Sequence, residues 1–134
     1  MKIKGNITTG LGKGACFLGQ DFYKNKFIEK CGFAPFPGTL NIIVPEKHLN
    51  DIQKIKTGCN NIINGKDGFG GLKYIKAILS DNSKENNANE TINGAIVFPD
   101  KTTHDENYLE FIAKENLREK LNLNDDDEVI LDIG

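Results

Sequence analysis

A glycine-rich stretch near the start of the chain has the residue types of a phosphate-binding loop. It reads Gly10-Leu11-Gly12-Lys13-Gly14. Glycine tolerates positive φ, so alternating glycines let several backbone N–H groups converge on phosphate oxygens, and Lys13 would add a positive charge. The spacing matches neither the dinucleotide-binding fingerprint nor the P-loop. A flexible connection between two strands explains the same glycines, so the motif alone leaves both roles open.

Two polar residues on one predicted strand are candidate metal ligands. Thr39 and Asn41 lie two positions apart in Pro37-Gly38-Thr39-Leu40-Asn41, and residues at that spacing point to the same face of a strand. Two neutral oxygens bind Mg²⁺ poorly by themselves, but they become reasonable ligands when a triphosphate supplies anionic oxygens. An ordinary polar strand face would have the same pattern.

Hydroxyl, imidazole and carboxylate groups lie close together later in the chain. Thr102, Thr103 and His104 fall in a predicted loop, and Glu110 lies on the strand that follows. A hydroxyl and a carboxylate together could hold a polyhydroxyl substrate, and a carboxylate or an imidazole can act as a general base. Glu110 alternates with apolar neighbours, as the solvent-facing residue of a strand also does.

The chain's only arginine lies at the start of a predicted helix, in Glu115-Asn116-Leu117-Arg118. The first N–H groups of a helix are available to an anion or to the edge of a base, and a guanidinium binds phosphate bidentately. The alternative is a surface arginine paired with Glu115 or Asp125.

Strands dominate the elements that must position these residues. Period-2 alternation and β-branched residues predict strands at 2–8, 39–44, 92–98, 108–113 and 128–133, and a hairpin of 59–63 with 69–79 around the turn Asn64-Gly65-Lys66-Asp67. Asp21 is the predicted cap of a helix that stops at Gly32, and residues 115–121 form a second short helix. Residues 45–56 are ambiguous between helix and loop, and 80–91 form a polar loop. This order predicts a mainly β fold, a small β-barrel with one or two short helices, and not a doubly wound sheet.

The composition indicates one domain without a nucleic-acid-binding face. The chain has 134 residues, and 17 basic against 19 acidic side chains give a formal net charge of −2. This length suffices for one core, whereas a DNA-binding protein would show a basic face. Three cysteines without a CxxC pair fit a reducing cytosol, and two scattered histidines predict no zinc site. With no signal peptide and no apolar stretch of membrane-spanning length, we expect a cytoplasmic protein.

The order of these blocks resembles that of the archaeal CTP-dependent riboflavin kinases. GLGKG, GFAPFPGTLNI, NGAIVFPDKTTH and LREKLNL follow one another over nearly the whole chain, and GTLN and LREKLNL are the most specific of them. The resemblance implies a cradle-loop type β-barrel, with residues 1–134 as a single riboflavin kinase domain. It also implies transfer of the γ-phosphoryl group of CTP to the 5′-hydroxyl of riboflavin, with Mg²⁺ as the cofactor and FMN and CDP as products. A preference for CTP over ATP rests on the resemblance alone.

The resemblance also assigns roles to individual residues. It puts Mg²⁺ on Thr39 and Asn41, and the flavin on Thr102 and Glu110, with Thr103 as a possible substitute for Thr102. Glu110 is the expected catalytic residue, which orients the attacking hydroxyl and accepts its proton. The implied nucleotide-binding residues form two blocks, Gly10, Leu11, Gly12, Lys13, Gly14 and Ala15 in the first, and Glu115, Asn116, Leu117 and Arg118 in the second.

The alternative function is a dimeric DNA-binding transcription regulator of a related small barrel fold. Such regulators share the order of helix, turn and strand that residues 121–133 predict. Their DNA binding would require a basic surface and would depend strongly on salt, and the composition shows no excess of basic residues. We therefore expect riboflavin/FMN and CTP/CDP as partners, no nucleic acid and no membrane, and a monomer.

Overall fold

Seven strands and three α-helices make up the regular structure of the residues that the computed structural model describes, which are 1–8, 21–36, 39–59, 61–65, 71–81, 91–99 and 107–133. In chain order they are β1 (Lys2–Thr8), α1 (Asp21–Cys31), β2 (Leu40–Ile43), α2 (Leu49–Gly58, preceded by a 3-10 turn at Glu46–His48), β3 (Ile62–Ile63), β4 (Leu72–Asp81), β5 (Thr91–Pro99), β6 (Tyr108–Ile112), α3 (Leu117–Lys120) and β7 (Glu128–Ile133). Among the helices of these residues, none is both long enough and apolar enough to cross a membrane.

Six of the strands close into an antiparallel barrel. The hydrogen-bonded order is β4-β5-β6-β2-β1-β7, and β7 also pairs with β4, which completes the ring. The short strand β3 adds to β4 alone. The predicted fold class, a mainly β small barrel with short helices, is confirmed.

The interior of the barrel is filled by alternate residues of all six strands. This inner cluster is almost completely shielded from solvent, and its best buried members are Ile3, Ile7, Ile42, Leu79, Ile96, Phe111, Val129 and Leu131. Ile52 of α2 and Leu117 of α3 extend the same cluster. Because side chains alternate across a strand, the neighbouring residues of each strand point out of the barrel.

Helix α1 covers part of the outer surface of the barrel. Tyr23 and Phe27 of α1 pack on outward side chains of β4, β5 and β6, and together they form an outer cluster of Tyr23, Phe27, Ile63, Leu72, Tyr74, Ala95, Val97 and Ile112. The rings of Phe27 and Tyr74 meet edge to face with centroids 6.1 Å apart. Phe22 and Cys31, which are partly buried, pack against the same cluster, so the apolar side chains of α1 hold the helix on the sheet.

Most predicted boundaries agree with the structure, and the exceptions have local causes. The helix stop at Gly32 is confirmed, since Gly32 has φ +83°. The predicted polar loop at 80–91 was wrong at its ends, because Ser80 and Asp81 continue β4 in register with β7, and Thr91 begins β5. The ambiguous segment 45–56 forms the 3-10 turn and α2, where Ile52 supplies the buried anchor.

Candidate active site

Three of the predicted site residues come together where β2 lies beside β6. Asn41 is directly opposite Glu110 in the antiparallel pairing. The Thr39 hydroxyl donates a hydrogen bond to Glu110 Oε1 at 3.3 Å, and the Asn41 side-chain amide donates to the Thr39 carbonyl oxygen at 3.3 Å. All three side chains are half-buried. A hydroxyl, an amide and a carboxylate therefore share one small surface, which we call the polar group.

The polar group lies on the outer surface of the barrel, between an apolar neighbour and a polar one. On one side Val97 of β5 is directly opposite Glu110, and it belongs to the outer cluster beneath α1. On the other side Thr8, the last residue of β1, is directly opposite Asn41. Directly opposed residues of an antiparallel pair point to the same face, so the polar group lies between the buried outer cluster on one side and the end of β1 on the other.

Arg118 brings α3 to the end of β1. Its Nη2 nitrogen donates to the Thr8 carbonyl oxygen at 3.2 Å and to Asp125 Oδ1 at 2.7 Å. The pairing of Arg118 with Asp125, expected as the alternative to phosphate binding, is therefore present, and the contact with Thr8 accompanies it. Asn116 caps α3 by accepting a hydrogen bond from the Glu119 backbone N–H at 3.4 Å.

The oxygen atoms of the polar group fit Mg²⁺ only in part. Hard cations of this kind take hydroxyl, amide and carboxylate oxygens as ligands, and Thr39, Asn41 and Glu110 supply one of each. Across the described residues no cluster of three or more His, Cys, Asp and Glu side chains could hold a metal ion. The arrangement thus suits an ion that reaches the site with anionic oxygens from a substrate, such as phosphate oxygens.

A cavity of about 500 Å³ lies elsewhere on the outer surface, at the end of α1. Its described lining includes Cys31, Phe33, Lys76, Asn93 and Asp132, and no described lining residue was a predicted site residue. Burial raises the pKa of the Cys31 thiol, and a hydrogen bond with Tyr74 partly offsets that rise. Burial likewise raises the pKa of Tyr74, with the neighbouring thiol adding to the effect. Both groups are therefore neutral near pH 7.

Several predicted site residues lie outside the described residues. They are Gly10, Leu11, Gly12, Lys13, Gly14 and Ala15 of the first nucleotide block, together with Thr102, Thr103 and His104. The described part of the second block runs from Glu115 to Arg118. Sequence reasoning missed Thr8. The pairing of β1 with β2 places this residue beside the polar group, and that pairing cannot be predicted from the residues around Thr8.

The fold and the polar group define a small antiparallel barrel that presents oxygen ligands and an arginine on its outer surface. Comparison with known proteins narrows this description. The family model for the CTP-dependent riboflavin kinase domain, described as "Domain of unknown function DUF120", matches residues 7–133. The chain belongs to this family.

Curated relatives of the chain carry the name riboflavin kinase. One from Methanobrevibacter smithii is 60% identical over 129 residues, which cover 96% of this chain and 97% of the relative. One from Methanothermobacter thermautotrophicus is 44% identical, covering 95% of this chain and 94% of the relative. A third, from Saccharolobus solfataricus, is 36% identical over 99% of this chain and 74% of the relative.

Proposed function

We propose that this protein is a CTP-dependent riboflavin kinase, with residues 1–134 as a single kinase domain. It transfers the γ-phosphoryl group of CTP to the 5′-hydroxyl of riboflavin and releases FMN and CDP. The observation that carries the proposal is the convergence of Glu110 with Thr39 and Asn41 on one surface, although Glu110 is 71 positions from Thr39 in the sequence. Membership of the family and the names of the relatives support the same reaction.

Glu110 is the proposed catalytic residue. In this reaction the riboflavin 5′-oxygen forms a bond to the γ-phosphorus, the bond from that phosphorus to the β–γ bridging oxygen breaks, and the hydroxyl proton needs an acceptor. Phosphoryl transfer asks the protein mainly for positioning and charge stabilisation. The Glu110 carboxylate is held by the Thr39 hydroxyl at 3.3 Å, which fixes the direction from which it orients the substrate hydroxyl and accepts its proton.

Thr39 and Asn41 are the proposed protein ligands of Mg²⁺. Mg²⁺ bound together with CTP would neutralise phosphate charge, and the phosphates would supply the anionic oxygens that this ion prefers. The two residues need this help from the nucleotide because neither carries a charge.

The proposed substrate-binding residues fall into two sets. The nucleotide set consists of Glu115, Asn116, Leu117 and Arg118, which lie towards β1, together with Gly10, Leu11, Gly12, Lys13, Gly14 and Ala15, which are outside the described residues. The flavin set consists of Glu110 and of Thr102, which is also outside the described residues. The contact of Arg118 with Thr8 supports this arrangement, because Thr8 is opposite Asn41 and joins the α3 residues to the proposed metal ligands.

The dimeric DNA-binding regulator has less support than the kinase. A formal net charge of −2 does not favour an acidic polymer as partner, and the relatives are named riboflavin kinases. We propose a monomer in the cytoplasm that binds neither nucleic acid nor membranes.

Incubation of the purified protein with riboflavin, CTP and MgCl₂, followed by chromatography, tests the proposal. FMN and CDP should appear in equal amounts, and omission of CTP or chelation of Mg²⁺ should abolish both. Parallel reactions with ATP, GTP and UTP test the choice of nucleotide. Absence of FMN with every nucleotide, from a protein that melts cooperatively, would refute the proposed activity.

A further inference from the structure

The turn between α3 and β7 is fixed to the end of β1 by backbone hydrogen bonds. We call residues 121–127 the acidic turn. The Ile7 N–H donates to the Asp127 carbonyl oxygen at 2.9 Å, and the Asp126 N–H donates to the Ile7 carbonyl oxygen at 2.8 Å. The Asn6 side chain adds a bond to the Asp126 carbonyl oxygen at 3.0 Å. The position of the turn against β1 therefore does not depend on the side chain of Asp125.

The internal geometry of the acidic turn sets the direction of the Asp125 carboxylate. Asn122 and Asp126 have φ of 51° and 72°, a left-handed conformation that Asn and Asp tolerate better than most residues. Asp127 Oδ2 accepts from the Asn124 N–H at 2.8 Å, and the Asp127 N–H donates to the Asn124 carbonyl oxygen at 3.1 Å. The backbone is thus held on both sides of Asp125, whose carboxylate meets Arg118 at 2.7 Å.

Both described contacts of the Arg118 guanidinium use the same nitrogen, Nη2. The Thr8 carbonyl oxygen and the Asp125 carboxylate each accept from it. A guanidinium is planar and rigid, so two acceptors at one nitrogen fix the plane of the whole group. The orientation of the remaining guanidinium nitrogens is then set before any ligand binds.

We propose that Asp125 is a positioning residue for the nucleotide: together with the Thr8 carbonyl oxygen it holds Arg118 in the orientation that binds the anionic oxygens of CTP. The inference rests on the proposed function, in which Arg118 lines the nucleotide. The side chains of Arg118 and Asp125 are 40% and 50% exposed, and ion pairs this exposed contribute little to folding stability. Loss of the pair should therefore appear in nucleotide affinity, because a mobile arginine must be ordered when the ligand binds.

The test is Asp125→Asn, with Asp132→Asn as the matched control. Asp132 also carries a half-exposed carboxylate in an ion pair, with the N-terminal amine at 4.0 Å. We expect Asp125→Asn to raise the KM for CTP, and the Kd for CTP measured by calorimetry without riboflavin, about tenfold, a typical coupling between charged neighbours. The KM for riboflavin and the melting temperature should stay at the wild-type values, Asp132→Asn should match the wild type throughout, and Asp125→Glu should recover part of the affinity.

A double-mutant cycle separates action through Arg118 from a direct effect. If Asp125 acts through Arg118, adding Asp125→Asn to Arg118→Lys should cause almost no further loss of CTP affinity. Fully additive losses would overturn the proposal, as would an unchanged CTP affinity in Asp125→Asn, or an equal rise of both KM values with a lower melting temperature. A wild-type protein that neither binds CTP nor makes FMN would instead remove the proposed function, and this proposal with it.

Discussion

Glu110 is the member of the polar group that lies next to the apolar outer cluster. Val97 is opposite it on β5, and Ile112, two positions further along β6, is completely buried beneath α1. On the other side, Thr39 donates to its carboxylate. A strand residue that served only as a solvent-facing position would not need this partner.

Replacement of Glu110 tests its catalytic role. Glu110→Gln keeps the size of the side chain but removes the charge that accepts the hydroxyl proton, so kcat should fall on the order of a hundredfold. Stability and CTP affinity should stay close to the wild type. Glu29→Gln is the control, since Glu29 lies on α1 with its side chain 68% exposed. Steady-state kinetics that show only a higher riboflavin KM would make Glu110 a binding residue, and full activity would exclude it from the site.

The proposed metal ligands predict a change in Mg²⁺ dependence. Thr39→Val keeps the branched shape but loses the hydroxyl, and Asn41→Ala loses the amide, so each should raise the half-saturating Mg²⁺ concentration about tenfold, the equivalent of roughly 1.4 kcal/mol. Thr57→Val, at an exposed position on α2, is the control. The measurement is FMN formation against Mg²⁺ concentration at saturating CTP. Unchanged Mg²⁺ curves for both variants would show that the ion binds elsewhere.

At the scale of elements, the contact between β5 and β6 depends on a glycine. A Cβ built on Gly94 would overlap the Ile112 carbonyl oxygen and would lie 2.6 Å from Phe111 Cζ. The Phe111 ring is completely buried in the inner cluster and cannot move aside. Gly94 therefore permits an approach of the two strands that any other residue would prevent.

Gly94→Ala should accordingly destabilise the protein. Overpacking of this kind typically costs about 1–3 kcal/mol in the free energy of unfolding, and the collision with backbone puts the expected value at the upper end. Gly58→Ala is the matched control, because a Cβ at Gly58, the last residue of α2, has no atom within 4 Å. Urea unfolding of both variants measures the difference. Equal midpoints for Gly94→Ala and the wild type would mean that the strands separate without cost.

The partly buried thiol of Cys31, at the end of α1, predicts a pH dependence of stability. Burial raises the pKa of the Cys31 thiol above its ordinary value of 9.0. A group whose pKa is higher in the folded state binds its proton more tightly there, so its contribution to stability is full below the unfolded pKa and is lost as pH rises through the folded pKa. The free energy of unfolding should thus fall above about pH 9. Cys31→Ala should flatten this fall, and an unchanged slope would assign it to other groups.

The sequence predicted where each strand begins and ends better than it predicted which strands pair with each other. Alternation and β-branched residues located β1, β2, β5, β6 and β7 to within one or two residues, because each strand has an inner and an outer face. The spacing of Thr39 and Asn41 indicated a shared face, but their closeness to Glu110 depends on the pairing of β2 with β6. The contact of Arg118 with Thr8 likewise joins residues that are 110 positions apart in the sequence. A local sequence pattern cannot predict a contact between residues so far apart.

The whole molecule depends on β7 for closure. This strand pairs with β1 on one side and with β4 on the other, and it contributes Val129, Leu131 and Ile133 to the inner cluster. A chain that ends before Glu128 should therefore lack a cooperative thermal transition, as followed by circular dichroism. Addition of a peptide with residues 128–133 should restore part of the transition. A shortened chain that melts like the complete one would show that the other strands form a core without β7.

The same closure has a consequence for the time at which the protein folds during its synthesis. Ribosomes make β1 first and β7 last among these strands, and without β7 the strands β1 and β4 are the two open edges of the sheet β4-β5-β6-β2-β1. A nascent chain that still lacks residues 128–133 therefore exposes two strand edges and half-formed apolar surface, the features that promote aggregation. The barrel can therefore close only when translation of the domain is nearly complete.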